Sequence, residues 1–122
     1  MRPLILFIVF LLVSKFSYSQ IEIKLEDASK HIGDSVKVCG KVASMRFVEN
    51  REGQPTFINL GKPYPNQLLT VVVCGLVRQR FSKPLEELFN NKEICVTGKV
   101  ELYKEKPQIV ILISEQMVIK IE

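Results

Sequence analysis

Apolar and polar residues alternate along Thr56–Leu60, which is the period-2 pattern of a half-buried strand. Turn residues fill positions 61–66, and a β-branched run at 68–73 predicts a second strand. In the first of these strands Phe57 and Asn59 lie on the face opposite the aliphatic residues. An aromatic ring beside an amide on an open sheet face is typical of a binding platform, and a core position for Phe57 fits the pattern equally well.

Three further stretches have the pattern of strands. Residues 36–48 and 94–103 place aliphatic side chains at alternate positions, and 109–113 is continuously apolar. Gly40 and Gly98 fall on the inward side of the two alternating strands, where a strongly bent strand of a small barrel needs a residue without a side chain. Together with the first pair, these stretches predict five strands.

A helical segment is predicted between the third and fourth strands, within residues 76–91. Pro84 suits the first helical position, and apolar residues three and four positions after Leu85 complete one apolar face. Asn90-Asn91 is typical of a left-handed helix stop.

Short segments flank the five strands. Residues 21–25 form either a short strand or an extended lead-in, residues 26–32 one or two helical turns that end at Gly33, and residues 118–121 a short final strand. His31 lacks partners of the type that complete a metal site, and we interpret it as a capping or solvated residue.

The N-terminus has the three parts of a secretory signal peptide. Arg2 supplies the basic region, Leu4–Val13 is an unbroken apolar run, and small residues precede a cleavage site after Ser19. A membrane anchor is the alternative, but a helical span needs about 20 apolar residues. We therefore expect a signal peptide over 1–19 and a single domain over 20–122. The protein would be exported to the periplasm or secreted, with no stable membrane insertion after cleavage.

Removal of a signal peptide changes the charge of the chain. The whole chain has a formal net charge of +4, and Arg2 and Lys15 would leave with the signal peptide. The mature domain then has 15 basic and 13 acidic residues, a net charge of +2. A strongly cationic protein would indicate a polyanion partner. A net charge of +2 does not by itself indicate such a partner, so the case for a polyanion ligand depends on where the charges lie.

The three cysteines, Cys39, Cys74 and Cys95, all follow the predicted cleavage site. Export favours disulfides, and an odd number predicts one pair and one free thiol. Their spacing is not that of metal ligands. Acidic residues do not cluster with a histidine or a nucleophile, which argues against an enzyme. We expect a non-catalytic protein with no metal and no other cofactor.

Three meander strands, a helix and two further strands follow the order of an OB-fold. The sequence therefore predicts a mainly β protein, a five-stranded OB-fold Greek-key barrel with a helix between strands three and four. The motifs that carry a family resemblance are Val38-Cys39-Gly40-Lys41-Val42, Pro55-Thr56-Phe57-Ile58-Asn59-Leu60-Gly61, Tyr64-Pro65-Asn66-Gln67, Val96-Thr97-Gly98-Lys99-Val100 and Lys106-Pro107-Gln108-Ile109-Val110. They resemble the small exported bacterial OB-fold proteins described as nucleic-acid-binding-like. The central run is also similar to the anticodon-binding OB modules of some aminoacyl-tRNA synthetases.

This resemblance implies roles for particular residues. In the anticodon-binding modules the aromatic residue of the second strand stacks on an unpaired base, and Phe57 matches that residue. Asn59 matches a polar position that is often acidic in the synthetases. The resemblance also implies that Cys39 pairs with Cys95, because strands one and four are neighbours in an OB-fold. Cys74 is then free.

Two functions stay open on the sequence. Binding of single-stranded DNA or RNA needs stacking aromatic residues beside basic ones. The alternative is an interaction module for another exported protein or a glycan, which the low net charge favours. Glu101 and Glu105 interrupt the basic residues, and packing of Tyr64 under its proline-rich turn is an alternative to ligand contact. The candidate nucleic-acid-binding residues are Arg46, Arg51, Phe57, Asn59, Tyr64, Lys99, Tyr103, Lys104 and Lys106.

Overall fold

The computed structural model describes residues 20–121. The predicted signal peptide, residues 1–19, lies outside the described residues. Seven strands and two short α-helices follow one another, with 3-10 helices at Leu25–His31 and Ser114–Gln116. The strands are β1 (Ile21–Ile23), β2 (Ser35–Phe47), β3 (Thr56–Leu60), β4 (Leu69–Val73), β5 (Glu93–Tyr103), β6 (Lys106–Ile111) and β7 (Met117–Ile119), and the helices are α1 (Gly75–Arg78) and α2 (Leu85–Phe89).

Five of the strands close into a barrel. β2 pairs with β3, β3 with β4, β4 with β6, β6 with β5, and β5 returns to β2. The β4–β6 pair is parallel and the other four are antiparallel, as the OB-fold order requires. The prediction of a mainly β OB-fold barrel is confirmed.

The interior of the barrel is filled by the aliphatic residues that the alternating pattern placed inward. Val36, Val38, Ile58, Val71 and Ile109 are all fully buried. At two glycines the backbone lies close to other side chains. A Cβ atom on Gly40 would lie 2.7 Å from Leu25 Cδ2, and one on Gly98 would lie 2.7 Å from Ile109 Cγ2. Both glycines therefore provide room for close packing, as their inward positions predicted.

The flanking segments extend the barrel. β1 runs parallel to β2, and β7 pairs antiparallel with β5. The 3-10 helix that follows β1 ends before Gly33, which has φ of 93°. β6 begins and ends earlier than the predicted range of 109–113, because Lys106–Gln108 form a hairpin with the end of β5. The chain turns after Ile111, where Gln116 Oε1 accepts the backbone N–H groups of the two following residues.

The helical region is divided into two pieces, α1, which ends at Arg78, and α2, which starts at Leu85. The predicted helix between the third and fourth barrel strands is present, but Pro84 is the residue that precedes its first turn and not the first helical residue. A proline disfavours helical geometry in the residue that precedes it, so α2 does not extend back through Lys83. The left-handed stop is present at Asn91, with φ of 63°.

A disulfide joins two neighbouring strands on the outside of the barrel. Cys39 in β2 lies directly opposite Cys95 in β5, and their sulfur atoms are bonded. This confirms the pairing that the family resemblance implied. Cys74 is a free, half-buried cysteine immediately before α1. Among residues 20–121, the structure contains no helix that is long and apolar enough to cross a membrane.

Candidate functional site

A groove of about 340 Å³ crosses the outer face of the sheet formed by β2, β3, β4, β6 and β5. Its floor follows from the strand register. Asn59 lies between Ser44 and Thr70 on the adjacent strands, and Thr70 lies opposite Gln108. The β3–β4 loop and the β5–β6 hairpin both contribute lining residues, and the loop between β2 and β3 contributes Arg51. The lining residues are Arg46, Arg51, Phe57, Asn59, Tyr64, Pro65, Gln67, Thr70, Tyr103, Lys104, Lys106, Pro107 and Gln108.

The structure brings eight of the nine candidate binding residues to this groove and leaves out Lys99. Lys99 is exposed in the part of β5 that pairs with β2, opposite Ser35. Tyr103 lies in the part that pairs with β6. Because β5 passes from its pairing with β2 to its pairing with β6 after Lys99, two residues that share an outward position in the sequence pattern reach different regions of the barrel.

Three aromatic rings are available in the groove. Phe57 is half-buried on the outer face, while its neighbour Ile58 is fully buried in the core. Phe57 therefore lies on the outer face of the barrel and not in the core, and its role as a binding platform stays a prediction. Tyr64 is 72% exposed and Tyr103 is 46% exposed. Tyr64 thus projects into solvent instead of packing beneath its turn.

The basic residues of the groove are Arg46, Arg51, Lys104 and Lys106, and no carboxylate is among the described lining residues. The guanidinium carbon of Arg51 lies 5.7 Å from the centre of the Phe57 ring, within range of a cation–π contact. The ammonium group of Lys106 donates to the carbonyl of Pro65 and so joins the start of β6 to the β3–β4 loop. The cationic groups are therefore concentrated here even though the net charge of the chain is small.

A chain of hydrogen bonds connects the polar groups on the floor. Gln67 Nε2 donates to Thr70 Oγ1 at 2.9 Å, and Thr70 Oγ1 donates to Asn59 Oδ1 at 3.1 Å. Asn59 Nδ2 then donates to Ser44 Oγ at 3.0 Å. Asn59 is 4% exposed, so its amide supports the floor and is already occupied on both sides. Gln67 Oε1 is buried without a hydrogen-bond partner in the described structure.

Sequence reasoning missed Gln67, Thr70 and Gln108 as groove residues. Thr70 could have been found from the two-strand pattern, because it directly faces Asn59 across the β3–β4 pair. Gln108 follows from Thr70 only through the parallel β4–β6 pairing, which no local pattern reveals. Gln67 lies in a turn, and its burial depends on the fold of the connection.

The described residues contain no group of three or more histidine, cysteine, aspartate or glutamate side chains placed to hold a metal ion. His31 Nδ1 lies 3.1 Å from Asp34 Oδ2 in the turn before β2, away from the groove. The groove itself offers rings, cations, amides and a hydroxyl. These groups can stack, attract anions and form hydrogen bonds.

Comparison with solved structures places this architecture among known folds. The chain is similar to a Leishmania major Friedlin protein assigned as an aspartyl-tRNA synthetase, with a TM-score of 0.53, 11% identity, and coverage of 87% of this chain and 22% of that one. A structure of RecG bound to a three-way DNA junction gives a TM-score of 0.59 and 17% identity, and the match covers 87% of this chain and 13% of RecG. The OBody AM1L10, bound to hen egg-white lysozyme, gives a TM-score of 0.56 and 17% identity, and the match covers 88% of this chain and 100% of the OBody.

No protein-family model matches the chain, and no curated protein matches it in sequence. The likeness to the solved structures therefore establishes the fold alone. The chain spans about a fifth of the length of the synthetase and a smaller share of RecG. With its closed five-stranded barrel, this protein has an OB-fold.

Proposed function

We propose that the protein is an OB-fold binding module that takes single-stranded nucleic acid in the groove, without sequence specificity and without catalysis. The observation that carries the proposal is the composition of the groove, which combines three aromatic rings with four basic side chains and no lining carboxylate. Single-strand binders use this combination, because bases of any kind stack on aromatic rings while cations attract the phosphates. Neither DNA nor RNA is favoured by these groups.

The neighbours in structure support the ligand class indirectly. RecG is described in complex with a DNA junction, and the synthetase agrees with the resemblance of the central strand to anticodon-binding modules. We further propose that the protein is bacterial and exported, with residues 1–19 as its signal peptide. The Cys39–Cys95 disulfide supports export, because such bonds persist in oxidising compartments.

A protein partner is the second candidate function. The OBody is an OB-fold described as bound to lysozyme, so this fold also presents protein-binding surfaces. The low net charge of the mature domain agrees with such a partner. Saccharide binding belongs to the same alternative, since OB-folds also bind oligosaccharides.

Binding of a fluorescently labelled single-stranded oligonucleotide tests the proposal. The oxidised domain, residues 20–122, is titrated at low and moderate salt, and anisotropy gives the dissociation constant. The chain contains no tryptophan, and the two tyrosines of this domain, Tyr64 and Tyr103, both line the groove. Intrinsic tyrosine fluorescence should therefore change on binding. Absence of binding at micromolar protein and low salt would refute the nucleic-acid proposal.

The variant Phe57→Ala tests whether the ring is a stacking platform. Loss of one aromatic–base stack should weaken binding by about 1–3 kcal/mol. Leu76→Ala is a suitable control, because Leu76 is 76% exposed on α1 and does not line the groove. Equal affinities of Phe57→Ala and the unmodified domain would remove the platform from the proposal. Circular dichroism of both variants confirms that the barrel is intact.

A further inference from the structure

The hydrogen-bond chain beneath the groove has a defined direction. The single hydroxyl hydrogen of Thr70 goes to Asn59 Oδ1, so Thr70 Oγ1 can only accept from Gln67, which must present its NH₂ group. Ser44 Oγ closes the other end by accepting from Asn59 Nδ2. With the opposite direction, the Gln67 amide nitrogen and both its hydrogens would lose their partner. The direction shown is therefore the one that leaves the fewest unpaired groups.

This direction leaves one acceptor unused at the end of the chain. Gln67 is 9% exposed and lines the groove, and its Oε1 is buried with no hydrogen-bond partner in the described structure. A buried acceptor without a partner has lost its hydrogen bonds to water and has gained none from the protein, which destabilises the folded protein. A ligand donor that reaches Oε1 therefore gains more than it would from an acceptor already bonded to water.

We propose that Gln67 recognises the edge of a base in the groove by accepting an N–H hydrogen bond at Oε1. This inference rests on the proposed function and adds to it a contact with the hydrogen-bonding edge of an unpaired base. Thr70 and Asn59 are positioning residues, because their hydrogen bonds hold the Gln67 amide in the orientation that presents oxygen. Stacking and phosphate contacts tolerate any base, whereas this contact requires a donor.

The acceptor is buried in the unbound protein, so the groups that cover it must move before a ligand donor reaches it. Tyr64 and Pro65 precede Gln67 in the β3–β4 loop, line the same groove and are both exposed. Stacking of a base on Tyr64 would occupy the space beside Gln67, within the same groove. The stack and the edge contact therefore belong to one binding event.

Thymidine provides a sharp test, because N3–H is the one hydrogen-bond donor of its base. The domain is titrated with a labelled thymidine decamer and with the same decamer made from N3-methylthymidine, which keeps the ring and the phosphates. The unmodified domain should bind the methylated decamer about tenfold more weakly than the thymidine decamer. The variant Gln67→Met has a side chain of similar length without the acceptor, and it should bind both decamers equally.

Each outcome decides the matter. Equal binding of the two decamers by the unmodified domain overturns the edge contact, while the proposed function stands. The same preference in Gln67→Met also overturns it, because the methyl group then acts elsewhere. If no oligonucleotide binds, the proposed function fails and this inference fails with it.

Discussion

Arg78 holds together parts of the chain that are far apart in sequence. Its Nη1 donates to Oγ1 of the fully buried Thr56 at 2.8 Å, and its Nη2 lies 2.8 Å from Glu86 Oε1. The guanidinium carbon lies 3.9 Å from the centre of the Phe47 ring. One side chain thus joins α1 to α2, β2 and β3. The two helices are too short to be stable alone, so such contacts hold them on the barrel.

The ion pair of Glu86 with Arg78 makes stability depend on pH. The hydrogen bond from Arg78 lowers the pKa of Glu86 below its ordinary value of 4.5. A folded-state pKa below the unfolded one gives stability that is present above pH 4.5 and is lost as the pH falls through the folded value. We expect Glu86→Gln to cost about 1 kcal/mol at pH 7, since the carboxylate is partly exposed, and progressively less below pH 4.5.

Urea unfolding of both proteins from pH 7 to pH 3 measures this difference. The matched control is Glu87→Gln, because Glu87 is exposed on the same helix and makes no ion pair among the described residues. A cost for Glu86→Gln that is the same at every pH would contradict the assignment.

Asn59 illustrates what a residue pattern can and cannot predict. Alternation along β3 placed its side chain on the outer face with Phe57, and the structure agrees. The pattern could not indicate that neighbours on two strands occupy both ends of the amide. Those hydrogen bonds depend on the register of β2 and β4 against β3. The face of a side chain is a local property, whereas its availability is a tertiary one.

At the scale of elements, the strands were predictable because each carries its own alternation of buried and exposed residues. The limits of the prediction lie where a strand changes partners. β5 pairs with β2 up to Lys99 and with β6 from Val100. The location of Lys99 outside the groove therefore depends on this change of partner, which the alternation of inward and outward residues along β5 does not indicate. The break between α1 and α2 was also not predictable from the sequence pattern. The apolar spacing that starts at Leu85 defines only the turn of α2 and gives no information on the rest of residues 76–91.

The disulfide between β2 and β5 predicts a large effect on stability. Cys39 and Cys95 are separated by 56 residues in sequence, and closure of a loop of this length contributes about 4 kcal/mol in the chain-entropy description. The double variant Cys39→Ser/Cys95→Ser should lose about that amount, measured by urea unfolding. A reducing agent should lower the unfolding midpoint of the unmodified domain and leave that of the double variant unchanged.

Cys74→Ser is the control for this experiment. Cys74 has no disulfide partner in the described structure, so this variant should keep its sensitivity to the reducing agent. Peptide mapping by mass spectrometry under non-reducing conditions identifies the bonded pair directly. Detection of Cys74 in the bridge would refute the assignment.

For the whole molecule, the distribution of charge matters more than its sum. Residues 20–122 have a net charge of only +2, yet the groove collects four basic residues without a carboxylate in its lining. Glu101, which the sequence placed among the lysines, lies outside the lining and accepts a hydrogen bond from Gln108 at 3.4 Å. Glu101 therefore borders the groove, and composition could not reveal this arrangement, because it follows from the pairing of β5 with β6.

This distribution predicts how binding should respond to salt. A lysine that neutralises a phosphate of a single strand contributes about 0.7 to the slope of log affinity against log salt concentration. Lys104→Ala should therefore reduce the slope by about 0.7, because Lys104 lines the groove. Lys99→Ala removes the same charge from β5 outside the groove and should leave the slope unchanged. Binding constants at several salt concentrations for the two variants separate a local phosphate contact from a general effect of net charge. Equal reductions would show that the ligand follows the overall charge and not the groove.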